Sequence, residues 1–448
     1  MPNKQQISGL EIMASETALV ENRTKKACQY AFSEIGNTPK GISVYLYGSP
    51  GRKEMIGGDG DADVFILEKE RTAEGRRFRE LFGQKMEEFD YAKLDLPEWG
   101  TISEAETFME KSLVEGNQVF ETRFVWGDKE VNAELEKLKS KYNSPERAIK
   151  NFIFNRLYLD EYFRRKTRDG ALNVKYCAGG SRDILFLSWY KDVIDLSNKV
   201  QPSEPDGPKC FEGAKIALQR GIISIGEYSK LVASIDYLTT LRTEILAANK
   251  GSEDRGLSFL DLKTIQKIRA KNQTPTKIRE EFEKNRTTIR GIVDAIYSDV
   301  LTIGRDVYSN SWGENIRRIK EGEVTPQEIL AQNDNPVIAM GRLWVANNLG
   351  MKDCFLELAK RYSDTADWAI IGTIVNSTFC PSELLDTFGR GIGKERGYGY
   401  LLRVIARNPN TPPSTLKSIA EDTSLEDRYT SIARAALIGG IEATKKQL

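Results

Sequence analysis

The chain contains no histidine. That absence excludes a Ser-His-Asp or Cys-His catalytic unit and any histidine-ligated metal. Catalysis, if any, must run on carboxylates, metal ions, lysine and arginine. Cysteine is scarce and unpaired: five residues at 28, 177, 210, 354 and 380, with no CxxC. This scatter favours buried free thiols over disulfides or zinc, so a reducing, cytoplasmic setting is expected. No apolar run is long enough to span a bilayer, and Met1-Pro-Asn-Lys-Gln-Gln lacks the hydrophobic region of a signal peptide. No membrane partner is expected. Net charge is absent too, because 65 Lys+Arg balance 65 Asp+Glu. No overall field steers the protein onto nucleic acid, which disfavours RNA or DNA as partner.

What is present fills the space of two or three domains in 448 residues. The most informative stretch is Tyr45-Leu46-Tyr47-Gly48-Ser49-Pro50-Gly51-Arg52-Lys53-Glu54, followed by Asp61-Ala62-Asp63-Val64-Phe65-Ile66-Leu67. It reads as a strand (43–47), a Gly-Ser turn, a loop, and a second strand (62–67). Side chains alternate on a strand, so Asp61 and Asp63 are expected to point the same way. Two such carboxylates repel unless a cation lies between them, and hard oxygen donors suit Mg²⁺. Gly48 lets backbone N–H groups approach a phosphate. These are the parts of a metal-dependent nucleotidyl transfer site. The bland alternative is that the two aspartates only cap the Gly57-Gly-Asp-Gly-Asp loop.

Around this core, residues 11–36 and 71–89 read as helices and 91–96 as a third short strand carrying Asp95. From about 145 to 310 the pattern is helical, with helices expected near 147–165, 225–249, 258–271 and 276–300. The segment Asn173-Val-Lys-Tyr-Cys-Ala-Gly-Gly-Ser-Arg-Asp-Ile is a loop leading into a helix, and 201–208, with three prolines, is another loop. In the last third, Thr325-Pro-Gln-Glu-Ile-Leu, Cys380-Pro-Ser-Glu-Leu-Leu and Pro412-Pro-Ser-Thr-Leu-Lys repeat a helix-starting proline and an apolar pair. A degenerate copy near Asp353-Cys-Phe-Leu-Glu-Leu gives a spacing of about 30 residues, the sign of stacked helical pairs. A plain helical cap over the core is the alternative.

Gly48-Ser49, eleven intervening residues, then Asp61-x-Asp63 resembles the polymerase-β-like nucleotidyltransferase superfamily. Tyr47-Gly-Ser-Pro-Gly-Arg-Lys-Glu with the later Asp-x-Asp is similar to the bacterial PII-protein uridylyltransferases, which carry a Gly-Arg-x-Glu step in a loop one residue shorter. Lys93-Leu-Asp-Leu-Pro-Glu-Trp-Gly-Thr resembles that family's third acidic strand. Glu121-Thr-Arg-Phe-Val-Trp-Gly-Asp resembles its following helix. The 173–184 loop resembles the lysine, Gly-Gly, Arg-Asp/Glu-Ile loop of its helical domain, also seen in glutamine synthetase adenylyltransferases. The junction Ala406-Arg-Asn-Pro-Asn-Thr-Pro-Pro resembles HEAT-like and leucine-rich-repeat-variant repeats. Without histidine the family's nucleotide-removing hydrolase domain cannot be present, and repeats stand where its regulatory domains would be.

The resemblance implies an α+β nucleotidyltransferase domain with a mixed sheet (1–140), an all-α helical domain (141–310), and a C-terminal α-solenoid-like repeat region (320–448). It implies transfer of UMP or AMP from an NTP to a protein hydroxyl, with Mg²⁺ or Mn²⁺. Asp61, Asp63 and Asp95 would be the catalytic metal ligands. Gly48, Ser49, Arg52, Lys175 and Arg182 would bind the nucleotide, and the repeats would dock a protein acceptor. Arg52 could instead pair with Glu54, and Gly179-Gly180 could be an ordinary helix-start loop. RNA or a small molecule as acceptor, and an inactive transferase-fold scaffold, stay open.

Overall fold

The computed structural model describes residues 8–36, 40–56, 63–89, 98–111, 114–165, 172–175, 177–202, 204–248, 259–260, 274–311, 339–340, 342–343, 346–347, 350–364, 368–392, 399–422, 430, 433–434 and 436–437. The chain is mostly helical with one small mixed four-stranded sheet. Two compact units divide it: residues 1–144 with 167–296, and residues 145–166 with 297–448.

In the first unit, α1 (Gly9–Ile35) starts from a Ser8–Glu11 capping box and ends at Gly36, whose φ of 77° satisfies the left-handed cap. Strands β1 (Ile42–Leu46) and β2 (Val64–Glu68) are buried on both faces, so they read as continuous apolar runs. Their alternate residues go to opposite cores. Val44, Leu46, Val64 and Ile66 meet Phe32 of α1 and Phe78 and Phe82 of α3 (Ala73–Glu88). Tyr45, Phe65 and Leu67 meet Ala105 and Met109 of α4 (Ile102–Lys111), Val119 of α5 (Val114–Phe120) and Leu135 of α6 (Lys129–Tyr142). The sheet order is β3-β2-β1-β4, with β3 (Glu98–Thr101) parallel to β2 and β4 (Arg123–Gly127) antiparallel to β1.

Strand β4 corrects one expectation. The stretch beginning at Glu121 resembles a helix by family likeness, yet Arg-Phe-Val-Trp-Gly forms a strand. Aromatic and β-branched residues suit a half-buried pleated surface, and β1 offers its second edge to them. The expected strand at 91–96 lies outside the described residues, as does most of the helix expected at 258–271.

Register positions the site. Leu46, the last residue of β1, pairs with Val64, the first of β2, and with Arg123, the first of β4. Three chain segments therefore meet at one end of the sheet: Tyr47 onward, Asp63, and Glu121–Thr122. The rest of the unit is mostly helical: α8 (Leu185–Ser197), α9 (Lys209–Gln219) and α10 (Ile225–Ala248), joined by the first part of α11 (Pro275–Ser311). A two-stranded ladder pairs β5 (Leu172–Asn173) with β6 (Phe259–Leu260).

In the second unit, α7 (Pro145–Arg165) buries Ile149, Phe152 and Ile153 and packs with α13 (Trp368–Val375) and α15 (Gly399–Arg407). Helices α12 (Lys352–Arg361), α14 (Ser382–Thr387) and α16 (Pro413–Glu421) share a burial pattern. Phe355, Leu385 and Leu416 are buried at equivalent places, and so are Leu358, Phe388 and Ile419. The loops carry the same spacing. The Ser377 hydroxyl donates to Asn347 Oδ1, thirty residues back, at 2.6 Å. The Asn408 amide, thirty-one residues beyond Ser377, donates to the Ser377 carbonyl at 2.8 Å and to the Val375 carbonyl at 2.7 Å. Asn408→Leu strands the buried Val375 carbonyl and leaves that of Ser377 with the Cys380 N–H alone, and is expected to cost about 2 kcal/mol in urea unfolding of the full chain. An unchanged midpoint would remove this amide from the account of how the loops are joined.

Four of the five cysteines are buried and Cys354 is half-buried, all as free thiols. Among the described residues no helix is long and apolar enough to cross a membrane.

Candidate functional site

The chain leaves β1 through Tyr47, in extended conformation, and turns at once into the one-turn helix α2 (Gly48–Gly51). Gly48 has φ 58°, a left-handed value that favours glycine. A methyl group there would also collide with the Asp63 carboxylate. Two independent reasons thus require glycine at 48, and the second shows where Asp63 points: across the face of the turn. The backbone fixes the same approach, since Tyr47 N–H donates to the Asp63 carbonyl at 3.0 Å. Gly48, Ser49 and Asp63 stay partly exposed while Pro50, Gly51 and Arg52 are buried. So the polar groups of this sheet end face solvent together, on a base with little freedom to move.

That base is a buried polar network. Arg52 is 4% exposed. Its Nε donates to Glu54 Oε2 at 2.9 Å and its Nη1 to Glu121 Oε2. Glu54 Oε1 accepts from the Ser188 hydroxyl and, at 2.8 Å, from the Cys210 backbone N–H. Glu121 Oε1 accepts from Trp189 Nε1 at 2.6 Å and from Asn117 Nδ2 at 3.0 Å. Burial by itself would weaken the Arg52 cation; Glu121, then Glu54, outweigh it and raise its pKa, with Asp63 adding to the pull. Further contacts close on the backbone. Arg123 Nη2 donates to the Pro50 carbonyl at 3.4 Å, Lys209 N–H to the Arg52 carbonyl at 3.1 Å, and Met55 N–H to Thr17 Oγ1 at 3.4 Å.

Between Arg52 and Glu54, Lys53 has φ 60°. The left-handed residue reverses the chain so that both its neighbours' side chains enter the same network. Such a conformation costs an L-residue about 1 kcal/mol or more, and β-branched residues suffer most. Lys53→Val is therefore expected to cost about 1–2 kcal/mol and Lys53→Gly to stay within about 0.5 kcal/mol, read by thermal unfolding. Equal effects would mean that the turn relaxes easily.

Lys175 and Arg182 belong to another turn. Arg182 N–H donates to the Lys175 carbonyl at 3.0 Å and Ser181 N–H to the Val174 carbonyl at 2.9 Å. Gly179, at φ 79°, sits against the Arg286 backbone of α11, where a side chain has no room. Buried Asp183 accepts from Gly179 N–H at 2.7 Å and from Arg290 Nη1 at 3.2 Å. Gly179 and Asp183 thus press this loop onto α11 before α8 begins at Leu185, while Gly180 packs against the loop's own Val174 and Cys177 carbonyls.

Asp61 and Asp95 lie outside the described residues. Of the expected metal ligands, Asp63 is described, and its donor chemistry fits Mg²⁺: a half-exposed carboxylate facing a glycine turn that no side chain fills. Sequence reading missed Glu121, Ser188, Trp189 and Arg123. Glu54 had a local signal, the Gly-Arg-x-Glu step. Glu121 stands 69 residues from Arg52 and had none. In comparisons with known proteins, no family model and no curated sequence matches the chain.

Proposed function

We propose that this protein is a Mg²⁺-dependent nucleotidyltransferase of the polymerase-β-like kind, similar to PII-protein uridylyltransferases. It would move UMP or AMP from an NTP to a hydroxyl of a protein acceptor. The observation that carries the reading is the apposition of the Asp63 carboxylate to the Gly48–Ser49 turn at one sheet end. A phosphate-binding turn and a metal carboxylate must stand together for this chemistry. The four-stranded mixed sheet with helices on both faces supports it.

In this reading Gly48 and Ser49 donate backbone N–H and hydroxyl hydrogen bonds to the β- and γ-phosphates. Asp61, Asp63 and Asp95 hold the ion, Mg²⁺ or Mn²⁺, which when bound supplies charge neutralisation at the triphosphate. Asp95 also takes part in removing the acceptor proton. The acceptor oxygen forms a bond to the α-phosphorus, the bond from that phosphorus to the bridging oxygen breaks, and pyrophosphate leaves. Lys175 and Arg182 are assigned to nucleotide binding, as ammonium and guanidinium donors respectively. The recurring burial at 30 and 31 residues supports reading the C-terminal region as an α-solenoid that docks the acceptor.

The test is incubation of the protein with each α-labelled NTP, Mg²⁺ and lysate. Label is expected on a protein band with UTP or ATP. Label on RNA would make RNA the acceptor, and label on a small molecule would do the same for that class. Nucleotide binding without any transfer would support the scaffold reading, and neither binding nor transfer would refute the site.

A further inference from the structure

We infer that Arg52, Glu54 and Glu121 act as a positioning strut, anchored on Ser188, Trp189 and Cys210, that holds the Gly48–Ser49 donors against Asp63. This deepens the transferase reading and rests on it. It gives Arg52 a role different from the triphosphate grip expected from sequence. One guanidinium serves two carboxylates, which account for Nε and Nη1. Each carboxylate is then held on its other oxygen: by the Ser188 hydroxyl and Cys210 N–H on Glu54, both from distant segments, and by the distant Trp189 indole and the nearby Asn117 amide on Glu121. A side chain recruited to grip substrate would not need both its partners tied so firmly. The geometry suits another task. α2 is a single turn of four residues, too short to hold its own shape in isolation. The chain on either side of it is fixed instead, by β1 before and by the strut after. Ser188 and Trp189 are neighbours on α8, so one turn of one helix carries both anchors.

The strut is distinguishable from a direct substrate contact by mild variants that keep its shape. Glu121→Gln retains volume and one acceptor oxygen but loses the charge that Arg52 needs. Trp189→Phe removes the N–H together with the five-membered part of the indole and keeps one aromatic ring against Phe186. Hydrogen exchange of the Gly48–Glu54 peptide is read in the full chain without nucleotide, beside the α3 peptide as internal control. Mg²⁺-NTP affinity and turnover are then read per folded molecule. Exchange at Gly51–Glu54 is expected to quicken at least about tenfold in both variants, with α3 unchanged. The dissociation constant for Mg²⁺-NTP should rise about tenfold while turnover of the saturated enzyme changes less, a split that general loss of stability does not produce. Unchanged exchange in both variants, with nucleotide bound normally, overturns the strut. Quickened exchange in both variants, together with a wild-type protein that binds none of the four NTPs, overturns the transferase reading instead.

Discussion

Arg52→Ala is expected to destabilise the first unit by about 3–5 kcal/mol, the range for removing one partner from a buried ion pair. The wild-type cluster places one cation between two carboxylates, Glu54 and Glu121, with side chains 4% and 7% exposed. Removing the cation leaves two buried like charges whose remaining donors are neutral: a hydroxyl, an indole, an amide and a backbone N–H. Neutral donors solvate a carboxylate but do not cancel its charge. Urea unfolding at pH 7 checks the size of the effect. A deficit under about 1 kcal/mol would mean that water reaches the cluster easily. The triple replacement of Arg52, Glu54 and Glu121 by neutral residues of similar volume should be less harmful than Arg52→Ala alone, because it strands no charge.

The parts of this site legible in sequence were those whose cause is local. Strands 42–46 and 64–68 are apolar runs bounded by glycines and charge, and they formed close to where the pattern put them. The Gly48 turn was legible because a glycine after a strand has few other uses. The spacing of about 30 in the last third was carried by prolines, and it reappears as recurrent burial because Pro381 and Pro412 stand directly before α14 and α16. What was not legible depends on register and distance. Nothing near Glu121 announces that it faces Arg52. The contact exists because Leu46 pairs with both Val64 and Arg123, which is a property of the finished sheet. The likeness of 121–128 to a helix failed for the same reason: the free edge of β1 decides the conformation, and the local sequence does not state that an edge is free. Ser188 and Trp189 sit in an apolar helix whose core-facing run hides two polar tips. Arg52 itself could be read from sequence as either surface pair or phosphate ligand; burial turned the first alternative into an internal pair and enlarged it with a second acid.

Asp63→Asn is expected to lower nucleotidyl transfer by at least about a thousandfold while leaving unfolding nearly unchanged. A metal-held charge at a reacting phosphoryl group contributes several kcal/mol to the transition state, and each 1.36 kcal/mol is about tenfold in rate. The carboxylate's pull on the buried Arg52 cation is lost, a smaller effect than those of Glu121 and Glu54. The residue's backbone carbonyl accepts from Tyr47 N–H at 3.0 Å, and asparagine preserves that bond. Asparagine also preserves the side-chain volume over Gly48, so the turn keeps its shape. Adding Asp61→Asn should lower activity further and raise the stability of the nucleotide-free protein slightly, since strand alternation leads one to expect two mutually repelling charges there. Gly48→Ala offers the converse test at the same contact. Its methyl would push against the Asp63 carboxylate and force an L-residue to hold φ 58°, so it should lose both activity and stability. Asparagine at 63 separates charge from shape, and alanine at 48 disturbs shape while keeping charge. Transfer measured with labelled NTP, set beside thermal unfolding, reads the two apart. If Asp63→Asn transfers nucleotide at the wild-type rate, the carboxylate facing Gly48 holds no catalytic ion, and this end of the sheet is not the reaction centre.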